Sequence, residues 1–291
     1  MNDPRAGFDQ LLAELRPKLH RYCSRMTGSV IDGEDVLQEA LVKAIEAFPR
    51  AGPIAKPEGW LFRIAHNAAL DFLRRRARQE NVRADQDLDM IADPDSEIDR
   101  RQAAAASLRT LMRLPVAQRS SVILMDVLGH SLEEIAVVLD GTVPAVKAAL
   151  HRGRNRLREL AAEPDDLPAP VLAEADRVRL ATYTARFNAR DFDALRGLLA
   201  EDVRLDLANR TRLAGRKDVS VYFSRYDERS DWWIQPGLAE GRPALLVSDP
   251  ADATGAIGYV VVLDWADGRI AAIRDFRFAP YVMESLAVSR L

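Results

Sequence analysis

At 291 residues, 48% apolar and 29% charged, the chain has the composition of a globular protein long enough for two or three compact units. Its single cysteine, Cys23, excludes an intramolecular disulfide and a multi-cysteine zinc site, and with no bilayer-length apolar run or basic-then-apolar leader, a cytoplasmic location without a membrane partner is expected. The formal net charge of −3 conceals segregation, because basic clusters occupy 74–78 and 147–158 while acids gather over 85–99, and local charge of this kind points to nucleic acid.

Phe8, Leu11, Leu12, Leu15, Leu19, Tyr22, Cys23 and Met26 keep helical spacing up to Gly28, with Pro17 predicted to kink or divide the helix. Asp32 is expected to cap a second helix whose inward face is Leu37, Ala40, Leu41, Ala44, Ile45 and Phe48, leaving Asp35, Gln38, Glu39 and Lys43 outward. Pro49, Gly52, Pro53 and Pro57 mark a loop. A third helix over 58–78 buries Leu61, Ile64, Ala65, Ala68 and Phe72 and ends in Arg74, Arg75, Arg76 and Arg78, more cations than a helix dipole explains and enough to neutralise phosphate. Trp60, opening that helix, reads as a core residue rather than a stacking platform. The acidic segment 84–99 is poor in aromatics and should not fold alone.

Residues 114–160 carry the most specific local pattern. Ser131 with Glu134 is a capping-box start, followed by Leu132, Ile135, Ala136 and Leu139 at helical spacing until Asp140 and Gly141 break it. Thr142 can cap the next helix, with Pro144 in its first turn and Val143, Val146, Leu150 and Leu157 as its apolar stripe. Lys147, His151, Arg154 and Arg158 share another face. Two short helices joined by a glycine turn, the second cationic, have the geometry that lays a helix in the DNA major groove.

A Pro-rich break at 163–170 precedes a change of character. Helices near 171–189, 191–199 and 216–226 accompany strand-like runs within 203–213, 242–248, 257–265 and 269–278, an α+β pattern with an antiparallel sheet.

The blocks at 32–48, 58–78 and 114–159, in that order and spacing, resemble those of extracytoplasmic-function sigma factors. The run from 183 to 207 followed by 215–223 resembles the SnoaL-like branch of NTF2-like domains. The implied fold class is multidomain: two all-α sigma domains, the second with a helix-turn-helix, then an α+β NTF2-like cone with a curved antiparallel sheet. Expected boundaries are 1–83, an acidic linker at 84–99, 100–162, a Pro-rich linker at 163–170, and 171–291. The short Gly-rich linker motif and the Asn-Pro-Asp-Lys-Leu-type motif of the best-known fused group are not found.

The resemblance implies a subunit of bacterial RNA polymerase that recognises and melts promoters. It maps core polymerase binding to Asp32, Asp35, Gln38 and Glu39, and the start-proximal promoter element to Asn67, Asp71, Arg74 and Arg75. It maps the upstream element to Lys147, Ala148, His151 and Arg152, with Arg154, Arg156 and Arg158 on DNA phosphates. Lys147 and Arg152 have the chemistry to read guanine edges, Ala148 a thymine methyl, and His151 has no neighbouring histidine or cysteine with which to hold a metal.

The C-terminal fold implies a pocket for a small-molecule ligand, lined by Tyr183, Phe187, Trp232, Trp233, Tyr259 and Trp265, or an intramolecular contact with the sigma domains. Asp202, Asp206 and Asp264 are the carboxylates available as bases, but this half has no histidine, and neither catalysis, cofactor nor metal is expected. The rival functions are a ligand-responsive DNA-binding regulator that never joins polymerase, and an NTF2-like enzyme.

Overall fold

The computed structural model describes residues 4–79, 106–163 and 172–291. The linker predicted at 84–99, and all but Glu163 of that at 163–170, lies outside the described residues. The chain divides into two compact units, Met1–Asp166 and Leu167–Leu291.

The first unit is helical. Helix α1 (Pro4–Thr27) is continuous through Pro17, which therefore does not divide it. It ends at Gly28, whose positive φ of 77° turns the chain, and α2 (Val30–Ala47) begins with Ser29 as its cap rather than Asp32. Ser29 has extended backbone and its hydroxyl accepts the Asp32 N–H at 3.1 Å, which leaves Asp32 in the first turn, where the helix dipole favours a negative charge. Helix α3 spans Pro57–Gln79. Ile45, expected inside, is 46% exposed, because the buried phase of α2 runs through Val30, Leu37, Leu41 and Ala44; Phe48 instead stacks on Phe8 at 3.9 Å. Trp60 packs against the core beside Phe8, with ring centroids 6.2 Å apart.

Helices α4 (Leu108–Met112) and α5 (Val116–Val122), the latter running into a π-helical turn (Ile123–Val127), precede the predicted pair. Helix α6 (Leu132–Val138) carries the complete Ser131/Glu134 capping box, and α7 (Val143–Ala161) starts at Thr142, whose hydroxyl accepts the Ala145 N–H at 3.3 Å. One hydrophobic cluster runs through both predicted helical domains, from Phe8 and Phe62 to Ile135 and Leu157. The join is specific. His130 sits edge-on to Phe62 at 4.7 Å, and Arg63 pairs with Asp140 at 3.2 Å. Beneath them Tyr22 shares a 2.7 Å hydrogen bond with His66, whose burial lowers its pKa to about 4, so this polar contact is uncharged at neutral pH.

The second unit is α+β. Helices α8 (Glu174–Asn188), α9 (Phe192–Gly197) and α10 (Arg216–Asp227) accompany one open seven-stranded sheet. Its strands are β1 (Leu199–Leu207), β2 (Thr211–Ala214), β3 (Trp233–Ala239), β4 (Arg242–Ser248), β5 (Ile257–Ala266), β6 (Arg269–Asp275) and β7 (Val288–Arg290). The spatial order is β2-β1-β6-β5-β4-β3-β7. The sheet is mixed rather than wholly antiparallel: β1 and β6 pair in parallel, since the β3 to β6 meander begins only after the crossover through α10. Asn209, Glu240 and Asp267 take positive φ in the tight connections of the β1–β2, β3–β4 and β5–β6 hairpins.

Candidate nucleic-acid interface and C-terminal cluster

Two surfaces read as separate in the sequence meet along α2 and α3. Glu39 accepts from Arg75 at 2.8 Å and from Lys43, one turn along its own helix, at 2.8 Å. Lys43 reaches Asp71 at 3.5 Å, Asp71 lies 3.4 Å from Arg74, and Arg76 stands 4.0 Å from Asp32. The Arg75 hydrogen bond, ahead of the Lys43 contact, holds the Glu39 carboxyl below the usual range, and Glu39 in turn raises Lys43 and Arg75. Asn67 is exposed on α3, Asp35 is half-buried, and Gln38 turns inward, donating to Glu34 at 3.2 Å. Glu34 is buried and paired with Arg16. Its three-residue spacing from Leu37 is the signal that separates it from the outward acids.

On α7, Lys147 is exposed and Ala148, His151 and Arg152 are half-buried. The His151 ring lies 3.3 Å from Asn155 Nδ2, Arg158 donates to Asn155 Oδ1 at 3.2 Å, and Arg156 pairs with Glu159 at 2.7 Å. Arg154 departs from its predicted place on the phosphate-facing side. Only 6% exposed, it is held in a bidentate pair by Asp126, its Nε 2.9 Å from Oδ2, and burial lowers its pKa. The physical reason is its helical phase, directly after Gly153 and three residues before Leu157, both buried, with a buried carboxylate opposite. Asp126 went unnoticed because it lies in the π-helical turn, outside any simple period.

In the second unit, the aromatics expected to line a pocket pack mainly on one another. Phe187 meets Tyr183 at 5.8 Å and Trp232 at 5.1 Å, Tyr183 meets Trp265 at 6.4 Å, and the Trp232 indole N–H donates to the Tyr226 carbonyl at 3.0 Å. Trp233 is 48% exposed. The three carboxylates nominated in the sequence lie elsewhere: Asp206 pairs with Arg212 at 2.8 Å, Asp264 with Arg274 at 3.0 Å, and Asp202 is exposed.

The buried carboxylate is Asp275, 1% exposed at the end of β6. It accepts from the Tyr222 hydroxyl at 2.9 Å, the Tyr226 hydroxyl at 2.8 Å and the Arg277 backbone N–H at 2.8 Å. Burial raises its pKa, against the lowering effect of those bonds and of the Arg277 charge. Tyr259 extends the cluster, 3.0 Å from both the Tyr226 hydroxyl and an Arg277 guanidinium nitrogen, and burial pushes its phenol up to about 12. Asp275 was legible in principle, since it shares its strand face with Ile273 two residues earlier.

Comparisons with known proteins follow the same division. Residues 11–79 match Sigma-70 region 2, residues 106–157 match Sigma-70, region 4, and residues 180–273 match the SnoaL-like domain. The ECF RNA polymerase sigma factor SigM of Mycobacterium tuberculosis is 35% identical over 156 residues, 54% of this chain and 78% of that protein. SigE of Mycolicibacterium smegmatis, also an ECF RNA polymerase sigma factor, is 32% identical over 161 residues, 54% of this chain and 62% of its own length. Among solved structures, the extracytoplasmic function sigma factor SigJ of M. tuberculosis shares 20% identity, with a TM-score of 0.35, over 91% of this chain and 95% of its own.

Proposed function

Because this chain belongs to the extracytoplasmic-function (ECF) family of RNA polymerase sigma factors, we propose that its helical unit binds core polymerase and directs promoter recognition and melting, and that the SnoaL-like unit regulates this activity. The observation that carries the reading is α7, a capped helix whose outward side presents Lys147, Ala148, His151 and Arg152 while its inward side is packed and pinned by the Asp126 pair. The cation-rich end of α3 gives a second surface for DNA, and the acids of α2 a surface for polymerase. Among the described residues no helix is long and apolar enough to cross a membrane.

The test is binding of the full chain, and of a version ending at Asp166, to core RNA polymerase, followed by run-off transcription. Both forms should bind core and start transcripts at defined sites, with the difference between them giving the sign of C-terminal control. DNA binding without core binding would overturn the sigma reading in favour of a free regulator; identical transcription from the two forms would overturn the regulatory half.

On DNA alone, the buried Arg154 changes the expected salt dependence. With Arg156 and Arg158 as the phosphate-facing cations of α7, their contribution to the fall of log affinity against log salt should be a slope of about −1.8, compared with about −2.7 if Arg154 also contributed. Replacing Lys147 or Arg152 should relax sequence choice, whereas Arg158→Ala should weaken all sequences alike and flatten the slope by about one unit. Binding measured between 50 and 300 mM salt on matched and scrambled duplexes checks both.

A further inference from the structure

A groove of about 620 Å³ opens in the second unit between α10 and the β1–β2 hairpin. That volume is within the usual range for small-molecule sites. Its walls are apolar, formed by Leu205 and Leu207 of β1, Leu213 of β2 and Val221 of α10. Its floor is polar and buried: Asp275 with the Tyr222 and Tyr226 hydroxyls bonded to it. None of the six aromatics nominated from the sequence lines it.

The rim has the opposite character. Arg210, Arg225, Arg229 and Arg277 all face the groove, and Asp231 is shared by two of them, at 2.6 Å from Arg229 and 2.7 Å from Arg277. Among the described residues Arg225 makes no ion pair, and the Arg210 guanidinium lies over the Phe278 ring at 4.9 Å, with no carboxylate partner. Glu228 is the remaining acid of the rim. Four guanidiniums thus face two carboxylates, an excess of positive charge above an apolar slot.

We propose that this groove binds a small organic acid, a carboxylate on a compact apolar body. The polarity of the site sets the direction of entry. An anion cannot go to the floor, where the Asp275 carboxylate already accepts three hydrogen bonds and would repel it. The ligand carboxylate therefore stays at the rim with Arg225 and Arg210, and the apolar body enters between Leu207, Leu213 and Val221. Because the Tyr222 proton is given to Asp275, the phenolic oxygen is left as an acceptor, which suits a body bearing a hydroxyl group. This goes beyond the sigma reading and does not depend on it, since the site belongs to the second unit and is tested by binding rather than by transcription.

The test uses the full-length chain with 2-naphthoate and its uncharged counterpart 2-naphthamide, followed by calorimetry and ligand-observed NMR. One naphthoate should bind per chain, with the amide about tenfold weaker, the range of one charge-assisted hydrogen-bonded contact. Arg225→Gln should remove about that factor for the acid and leave the amide unchanged. Val221→Trp, at an exposed wall position, should block both ligands while the thermal unfolding curve of the second unit is retained. Equal affinity for acid and amide would overturn the proposal, as would indifference of the acid to Arg225→Gln, or no saturable binding of either compound at millimolar concentration.

Discussion

Arg154→Ala is expected to lower the stability of the helical unit by about 3–5 kcal/mol, read as a shift in the urea midpoint by far-UV circular dichroism. The reason is asymmetry. The Asp126 side chain is wholly buried and the Arg154 guanidinium nearly so, and alanine would leave the carboxylate with its principal cation gone in a low-dielectric site. Changing both partners, Asp126→Leu with Arg154→Met, removes the uncompensated charge and should restore most of the loss, because packed apolar residues commonly replace a buried pair without penalty. If Arg154 were instead a phosphate contact, Arg154→Ala would leave the midpoint in place and flatten the DNA salt slope. That outcome would end the structural reading.

Gly33→Ala should be the most damaging single methyl group in the helical unit, costing about 3 kcal/mol, at the upper end of ordinary overpacking. A Cβ at Gly33 would stand 2.6 Å from both the backbone nitrogen and the Cα of Ser24, so α1 and α2 could not keep their crossing. At Gly153 the nearest atom is a Val122 methyl at 2.8 Å, a side chain that can yield, and the loss there should be smaller. Gly7 meets nothing within 4 Å inside α1, so Gly7→Ala should be neutral or slightly stabilising through helix propensity. Thermal melts of the three variants should fall in that order. A Gly33→Ala protein as stable as the parent would mean that α1 and α2 pack otherwise than described.

The parts of the fold that periodicity and capping control are legible in the sequence. The capping box at Ser131, the Thr142 cap and the stripe of Val146, Leu150 and Leu157 are local, and local geometry reproduces them. What escaped depends on contacts distant in sequence. Strand β3 was missed because Pro236 and Gly237 argue against a strand, yet it pairs with β4 over its whole length. Asp32 looked like a cap because it precedes an apolar run, whereas Ser29, next to the left-handed Gly28, has the extended backbone a cap requires. Arg154 and Asp275 both look like surface charges in a one-dimensional reading. Only the opposing partner, Asp126 in one case and two tyrosines in the other, explains their burial.

If Glu39 faces polymerase and Arg75 faces DNA, as proposed, their ion pair would tie two macromolecular equilibria together. On the proposed assignment the carboxylate belongs to the polymerase-facing set and the guanidinium to the DNA-facing set, and at 2.8 Å each is the other's present partner. A polymerase cation that took over Glu39 would release Arg75 for phosphate, and DNA that drew Arg75 away would leave Glu39 held by Lys43 alone and more open to polymerase. By linkage the enhancement is the same in both directions. Both side chains are partly exposed, so such a pair contributes at most about 1 kcal/mol, and the reciprocal gain is about fivefold. A coupling of that size would bias the order of assembly without locking either partner in place.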